Sequence, residues 1–190
     1  TPRRLPELGG VGEIATAPKF RRLGISTELC GLVADEFRES GGQALFLGTV
    51  NPDAARVYYR VGFRKLASAN VMALVSSAES PEEFIADYFR EPGEVTVRPG
   101  SPEDRIPMIP LLAAPHDWQV LDANVGRFST RYAVLNSCMG LYPRYAALAL
   151  DDQGTWFSAA TTDGRVVGLS TARLDGAGGC QVDGFAHKLH

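Results

Sequence analysis

The N-terminal part of the chain alternates strand-like and helix-like segments, and this order limits the possible folds more than any other feature. Gly9–Pro18 is small and apolar and suits a strand, which we expect to end near Thr16 because Pro18 cannot donate to a ladder. Gly24–Ser40 carries apolar residues at helical spacing, and a short buried strand is predicted at Ala44–Val50. The pattern favours a mixed α/β fold.

The mixture continues through the next forty residues. A helix capped by Asn51 is expected to end near Gly62. Phe63–Val75 reads as one or two further strands, and Ser80–Arg90 as a short helix with one apolar side. We interpret this last helix as a docked connector.

The second half of the sequence contains mainly predicted strands and one irregular segment. A strand is predicted at Val95–Arg98, followed by a helix that begins near Ser101. The aromatic segment His116–Tyr145 has neither helical nor strand periodicity, so the sequence predicts no element there. Two strands flank the hairpin turn Asp163-Gly164, and a third is predicted at Cys180–His187.

Composition excludes several classes of protein. With 45% hydrophobic and 22% charged residues, the 190-residue chain can bury a core without disulfides or a structural metal. A net charge of -3 disfavours a broad cationic surface for nucleic acid or anionic lipid. The three cysteines are far apart, and no apolar run approaches the roughly 20 residues that span a membrane. We therefore expect a cytoplasmic protein with no nucleic-acid or membrane partner.

The loop Arg21–Ser26 has the chemistry of a phosphate cradle. Gly24 lets the backbone approach a ligand, and the helix that follows begins with unpaired, outward-pointing amides. Arg21 and Arg22 add positive charge. An ordinary strand-to-helix turn with solvated arginines would show the same short pattern.

Two motifs together resemble the GCN5-related N-acetyltransferase (GNAT) superfamily. RRLGIS, Arg21–Ser26, is similar to the superfamily's Q/RxxGxG/A loop and departs from it at Ser26. NPDAARVYYRVGF, Asn51–Phe63, is similar to its NxxAxxxYxxxGF helix at each fixed position. The resemblance covers Val11–Phe63 and implies an acyl-CoA N-acyltransferase-like fold.

The resemblance also implies a cofactor site for acetyl-CoA, used as co-substrate, without a metal. In the superfamily this loop holds the pyrophosphate of coenzyme A, and the preceding strand flanks the pantetheine arm. The residues carried over are Ile14, Ala15, Thr16, Arg21, Arg22, Leu23, Gly24, Ile25, Ser26 and, at a position associated with the cofactor, Asn51.

Tyr58 matches the position that the superfamily often uses as general acid. A phenol with a pKa near 10 is protonated at neutral pH and can donate to a departing thiolate. Tyr58 could instead only pack, and Tyr59 must face elsewhere because one residue turns a helical side chain by about 100 degrees. Glu13 is a candidate base, although alignment puts Gly12 where several members carry glutamate. The base is therefore Glu13 or water.

The order of elements does not fit one complete module. Val95–Leu112 resembles the superfamily's opening strand and helix, and Thr155–His187 its second to fourth strands, yet both follow the loop. We predict the C-terminal half of one module at 1–77, a helical connector at 78–93, and the N-terminal half of a second at 94–190. Tandem or permuted halves, or a domain exchange in a homodimer, would explain this order. We expect two incomplete sheets, or one sheet combining both halves.

The resemblance implies transfer of an acetyl group to an amine of a small-molecule or peptide acceptor. The alternative is a catalytically degenerate module that binds acyl-CoA or a protein. Asp183 could be a base or a strand residue, and His116 could line an acceptor pocket or pack a loop. His187 and His190 stand three apart without a third metal ligand. Both tryptophans are expected in the core or a pocket wall.

Overall fold

A computed structural model describes residues 7–150 and 152–190. Up to the connector, the elements are β1 Glu7–Gly10, α1 Ile25–Glu39, β2 Gly42–Gly48, α2 Pro52–Val61, β3 Arg64–Lys65, β4 Val71–Val75 and α3 Pro81–Tyr88. The remainder are β5 Val95–Pro99, α4 Met108–Ala113, β6 Val120–Asp122, β7 Arg127–Phe128, α5 Tyr142–Leu150, β8 Gly154–Thr161, β9 Val166–Leu174 and β10 Cys180–Ala186. Short 3-10 turns occupy Pro18–Phe20 and Pro102–Arg105.

The strands form two four-stranded sheets and one small hairpin. The first sheet has the order β1-β2-β4-β3 and the second β10-β9-β8-β5, while β6 pairs with β7. β1 runs parallel to β2, and the other pairs are antiparallel. The predicted mixed α/β class is confirmed. The two four-stranded sheets are separate, and the β6–β7 hairpin was not predicted. Their assignment to two modules, with the bounds 1–77, 78–93 and 94–190, stays a prediction.

The two helices of the first half begin and end where local chemistry predicts. α1 follows Gly24, whose φ of 82° is left-handed. Asn51 caps α2, and its side-chain oxygen accepts hydrogen bonds from the amides of Asp53 at 2.9 Å and Ala54 at 3.5 Å. Gly62, with φ 112°, ends α2. These caps fix the entry and exit of the helices on either side of β2.

The first sheet buries both faces, but in different cores. Leu45 and Leu47 of β2 pack in a small core together with α1 and α2. Ala44 and Phe46, on the alternate face, belong to a larger core that joins both halves of the chain. That core includes Phe84, Phe89, Met108, Leu111, Leu121, Leu141, Tyr145, Trp156, Val167 and Leu169.

The two halves are in close contact at Gly48, the last residue of β2. A Cβ placed on Gly48 would lie 2.9 Å from the Cys138 nitrogen and 3.1 Å from the Ser137 Cα. Beside it, the Asn70 side chain donates to Asn136 Oδ1 at 2.7 Å. The segment 135–138 is therefore held against the end of the first sheet.

Two sequence expectations are wrong. The first strand ends at Gly10 rather than near Thr16: the Val11 amide still donates to the Phe46 oxygen at 2.7 Å, but Glu13 turns to a left-handed φ of 55°. An extended strand cannot continue through that conformation. Trp118 is 72% exposed and therefore lies outside the core, whereas Trp156 is buried as expected.

Candidate active site

The glycine loop is held open at the start of α1. A Cβ placed on Gly24 would have nothing within 4 Å, so the left-handed backbone, not crowding, requires glycine there. The amides of Ile25 and Ser26 have no acceptor within α1 and point beyond its N-terminal end, whereas the Thr27 amide donates to the Gly24 oxygen at 2.9 Å. Ser26 Oγ lies 2.6 Å from Thr16 Oγ1, which ties the helix start to the preceding segment.

The two arginines of the loop differ in their contacts. Arg21 Nε donates to the Thr16 oxygen at 3.0 Å, which stabilises the turn. Arg22 is exposed and has a left-handed φ of 66°. Leu23 is also largely exposed. The loop thus presents positive charge and backbone donors on an open surface.

A cavity of about 370 Å³ lies beside this loop. One wall is the irregular segment after β1, including Glu13, Ile14 and Ala15. The others come from α1, β2, α2 and the turn after α2; they are Leu29, Cys30, Val33, Leu47, Tyr58 and Phe63. The structure therefore brings Tyr58 and Glu13 to one cavity, with Thr16 and the loop next to it. Asn51 uses its side chain to cap α2.

Tyr58 is buried where α2 borders the cavity. It is 8% exposed, and its ring packs edge-on against Phe63 with centroids 6.0 Å apart. Burial raises the pKa of the Tyr58 phenol, and the Cys30 thiol adds to this effect. The phenol is therefore neutral and protonated at pH 7. Tyr59 is 43% exposed, in agreement with the prediction that the two rings face different ways.

Cys30 and its neighbours on α1 are cavity residues that the sequence interpretation missed. Leu29 and Val33 stand four apart and border the cavity with Cys30. Burial raises the pKa of the Cys30 thiol, so this group is a poor nucleophile. The signal was present in the sequence, because these apolar residues follow the glycine loop at helical spacing.

The second half of the chain covers the opposite side of the site segment. A Cβ on Gly10 would lie 2.6 Å from Ile106 Cδ1, and one on Gly12 would lie 3.4 Å from Met139 Cε. Ile106 and Met139 therefore pack against the backbone that leads into the cavity. No sequence motif marked Met139.

The other candidate residues lie outside this cavity. Asp183 is within β10, and its Oδ2 accepts a hydrogen bond from the Ala123 amide at 2.6 Å. His116 is buried in a packed loop, with Nε2 2.7 Å from the Leu111 oxygen. Within residues 7–150 and 152–190, no group of three or more His, Cys, Asp or Glu could hold a metal ion. In the same ranges no helix is both long and apolar enough to cross a membrane.

Known proteins resemble the segment that forms this site. Residues 3–63 match the Acetyltransferase (GNAT) family. Over 49 residues the chain is 40% identical to Acetyltransferase Atu2258 from Agrobacterium fabrum, in an alignment that takes in 26% of this chain and 36% of that protein. The crystal structure of a GCN5-related N-acetyltransferase from Kribbella flavida superposes with a TM-score of 0.35 at 17% identity, over 96% of this chain and 39% of that one.

The loop, the helix and these matches point to one class of protein: the N-terminal segment is similar in sequence to acetyltransferases. Residues 3–63 are thus similar to the GNAT superfamily, which the two motifs predicted. The chain spans only 36% of the length of its curated relative.

Proposed function

We propose that this chain forms part of an enzyme that transfers an acetyl group from acetyl-CoA to an amine of a small molecule or peptide. The observation that carries the proposal is the cavity shared by Tyr58 and the irregular segment Gly12–Ala15 next to the Gly24 loop. In the superfamily, these two elements bracket the thioester. Their juxtaposition here supports the same use.

Binding would begin at the loop. The outward amides at the start of α1, with Arg21 and Arg22, suit the pyrophosphate of coenzyme A. The pantetheine arm would follow Ile14 and Ala15 into the cavity, where the backbone has left the β1–β2 ladder. A free amide of this segment would polarise the thioester carbonyl as the tetrahedral intermediate forms.

The chemistry is a direct attack. The acceptor nitrogen bonds to the thioester carbon, and the carbon–sulfur bond breaks. Tyr58 donates its proton to the departing sulfur, and the raised pKa of the phenol keeps that proton available. The proton released by the amine passes to Glu13 or to water. Acetyl-amine and free coenzyme A are the products.

The loop assignment is tested by Gly24→Asp. A carboxylate there would crowd and repel phosphate, so we expect coenzyme A to bind at least about tenfold more weakly in titration calorimetry. Gly41→Asp is the matched control, because Gly41 is also left-handed with nothing within 4 Å of its Cβ position, but lies after α1. Equal affinities of the Gly24→Asp variant and the parent would disprove the cradle.

The acid is tested by Tyr58→Phe. We expect acetyl transfer to fall by about 10²-fold or more, while acetyl-CoA affinity stays within about twofold. The measurement is release of free thiol with a panel of aliphatic amines and peptides, and Tyr59→Phe is the control. Unchanged turnover would remove Tyr58 from the mechanism. Tight binding of acetyl-CoA without turnover in the parent would favour the binding-module alternative.

A further inference from the structure

A second cavity, of about 230 Å³, lies between the middle segment and α5. Two arginines, Arg127 from β7 and Arg144 from α5, line it. Asn136, Ser137 and Gly140 contribute polar groups to the same wall. No aspartate or glutamate is among the described residues that line it.

Arg127 is the unusual member of this cavity. It is only 8% exposed, and its Nη2 donates to the oxygens of Gly140 at 3.0 Å and Leu141 at 3.1 Å. Its Nε is buried and has no hydrogen-bond partner in the described part of the chain. Burial and the charge of Arg144 lower the pKa of Arg127. A buried donor left unpaired is costly, so the position of this guanidinium is not explained by its own hydrogen bonds alone.

The charge near Arg127 is also unbalanced. Among residues 7–150 and 152–190, no carboxylate lies within the 4.0 Å of an ion pair with either arginine. Asp122 is the register partner of Arg127 across the β6–β7 hairpin, but its oxygens accept from the Thr171 hydroxyl at 2.9 and 3.0 Å. The positive charges of two guanidinium groups are therefore balanced by at most one nearby carboxylate, and that carboxylate is hydrogen-bonded to Thr171.

We propose that this cavity binds a small oxyanion, the carboxylate or phosphate end of a small molecule, between the guanidinium groups of Arg127 and Arg144. Guanidinium donors match the planar or tetrahedral oxygens of both groups. The Ser137 hydroxyl can donate as well, since it already accepts from the Gly140 amide at 3.1 Å. The cavity is below the roughly 300 Å³ at which drug-sized ligands begin to fit, so it suits a small anionic group.

The Asn136 side chain gives the site a further donor. Its Oδ1 accepts from Asn70 of the first half at 2.7 Å, which leaves Nδ2 as the donor on the amide. A backbone bridge between Ala69 and Leu135 fixes the same stretch. The oxyanion site is therefore built on a segment whose position is set by the first sheet, and it is separate from the cavity at Tyr58.

The test is a titration followed by amide NMR on the whole chain. Sodium phosphate is added in one arm and sodium acetate in the other, with chloride holding the ionic strength constant. We expect saturable shifts of the Gly126, Ser137 and Gly140 amides. Arg144→Gln should weaken this binding at least about tenfold. Because Arg144 Nη1 also donates to the Val125 oxygen at 3.2 Å, an unchanged urea midpoint must first show that the variant keeps its fold. Arg22→Gln is the control, because phosphate can also bind the Gly24 loop, whose own amides report that event separately.

A response to acetate alone identifies a carboxylate site, and a response to phosphate alone identifies a phosphate site. Either result supports the proposal when Arg144→Gln weakens it and Arg22→Gln does not. The proposal is overturned if neither anion produces saturable shifts at these amides, or if Arg144→Gln binds as tightly as the parent. Failure of coenzyme A to bind at the loop would leave these readouts unaffected.

Discussion

On one face of the first sheet, Leu45 and Leu47 pack with α1 and α2 around a small core that borders the 370 Å³ cavity. On the other face, Ala44 and Phe46 enter a core that draws on both halves of the chain. Successive residues of β2 thus face two different environments, a core next to an open cavity and a closely packed interior. The contrast shows that substitutions on the two faces should affect different properties: binding on one, stability on the other.

The largest difference is expected between Phe46→Ala and Leu47→Ala. Phe46 is fully buried in the large core, and its truncation should lower the free energy of unfolding by about 3–5 kcal/mol. Leu47 borders an existing cavity, so its truncation should cost about 2 kcal/mol and weaken acetyl-CoA binding as well. Urea denaturation and calorimetry measure both. Equal losses of stability would break the distinction between the faces.

A smaller effect is expected from a single methyl group at the junction of the halves. Gly48→Ala would press on backbone atoms of Ser137 and Cys138, and we expect a loss of about 1–3 kcal/mol in unfolding free energy. Gly31→Ala is the control in α1, where nothing lies within 4 Å of the new Cβ. There, helix propensity should raise stability by about 0.5–1 kcal/mol. If Gly48→Ala leaves the unfolding free energy unchanged, segment 135–138 must be able to move to make room for the methyl group.

The smallest expected effect is a pH dependence on the large-core side. His187 stacks on Phe89 at 4.2 Å, and burial, with the charges of His116, His190 and Lys188, lowers its pKa from 6.5 to about 4. Between these values the unfolded chain binds more protons than the folded one, so stability should fall as the pH drops from 6.5 towards 4.

His187→Gln tests this dependence. Urea midpoints at pH 7 and pH 5 should differ less in the variant than in the parent. Some dependence should remain, because the pKa values of His116 and His190 are also lowered. Identical pH dependence in both proteins would show that His187 does not carry it.

The parts of the molecule that local chemistry determines were predictable. Asn51 and Gly62 mark the ends of α2 because a side-chain cap and a left-handed glycine act within a few residues. Gly24 marks the start of α1 for the same kind of reason. The sequence therefore predicted the loop and singled out Tyr58, and the structure adds that Tyr58 and Glu13 line the same cavity.

The middle segment was not predictable, because its contacts are remote in sequence. Ser129 donates to the His116 oxygen at 2.8 Å, and Thr171 bonds Asp122 across forty-nine residues. No periodicity records such pairs. The exposed Trp118 was misjudged for a related reason, since size and apolarity alone do not say which loop residue turns inward.

The shared core also has a consequence for synthesis on the ribosome. Val167 and Leu169 of β9 belong to the same core as Phe46 but follow it far along the chain, so they leave the exit tunnel later. At about 5–20 residues per second, the core on this face of the first sheet stays incomplete for several seconds or longer. During that interval the nascent chain presents an apolar surface to chaperones, while α1, β2 and α2 can already assemble the motif-bearing face.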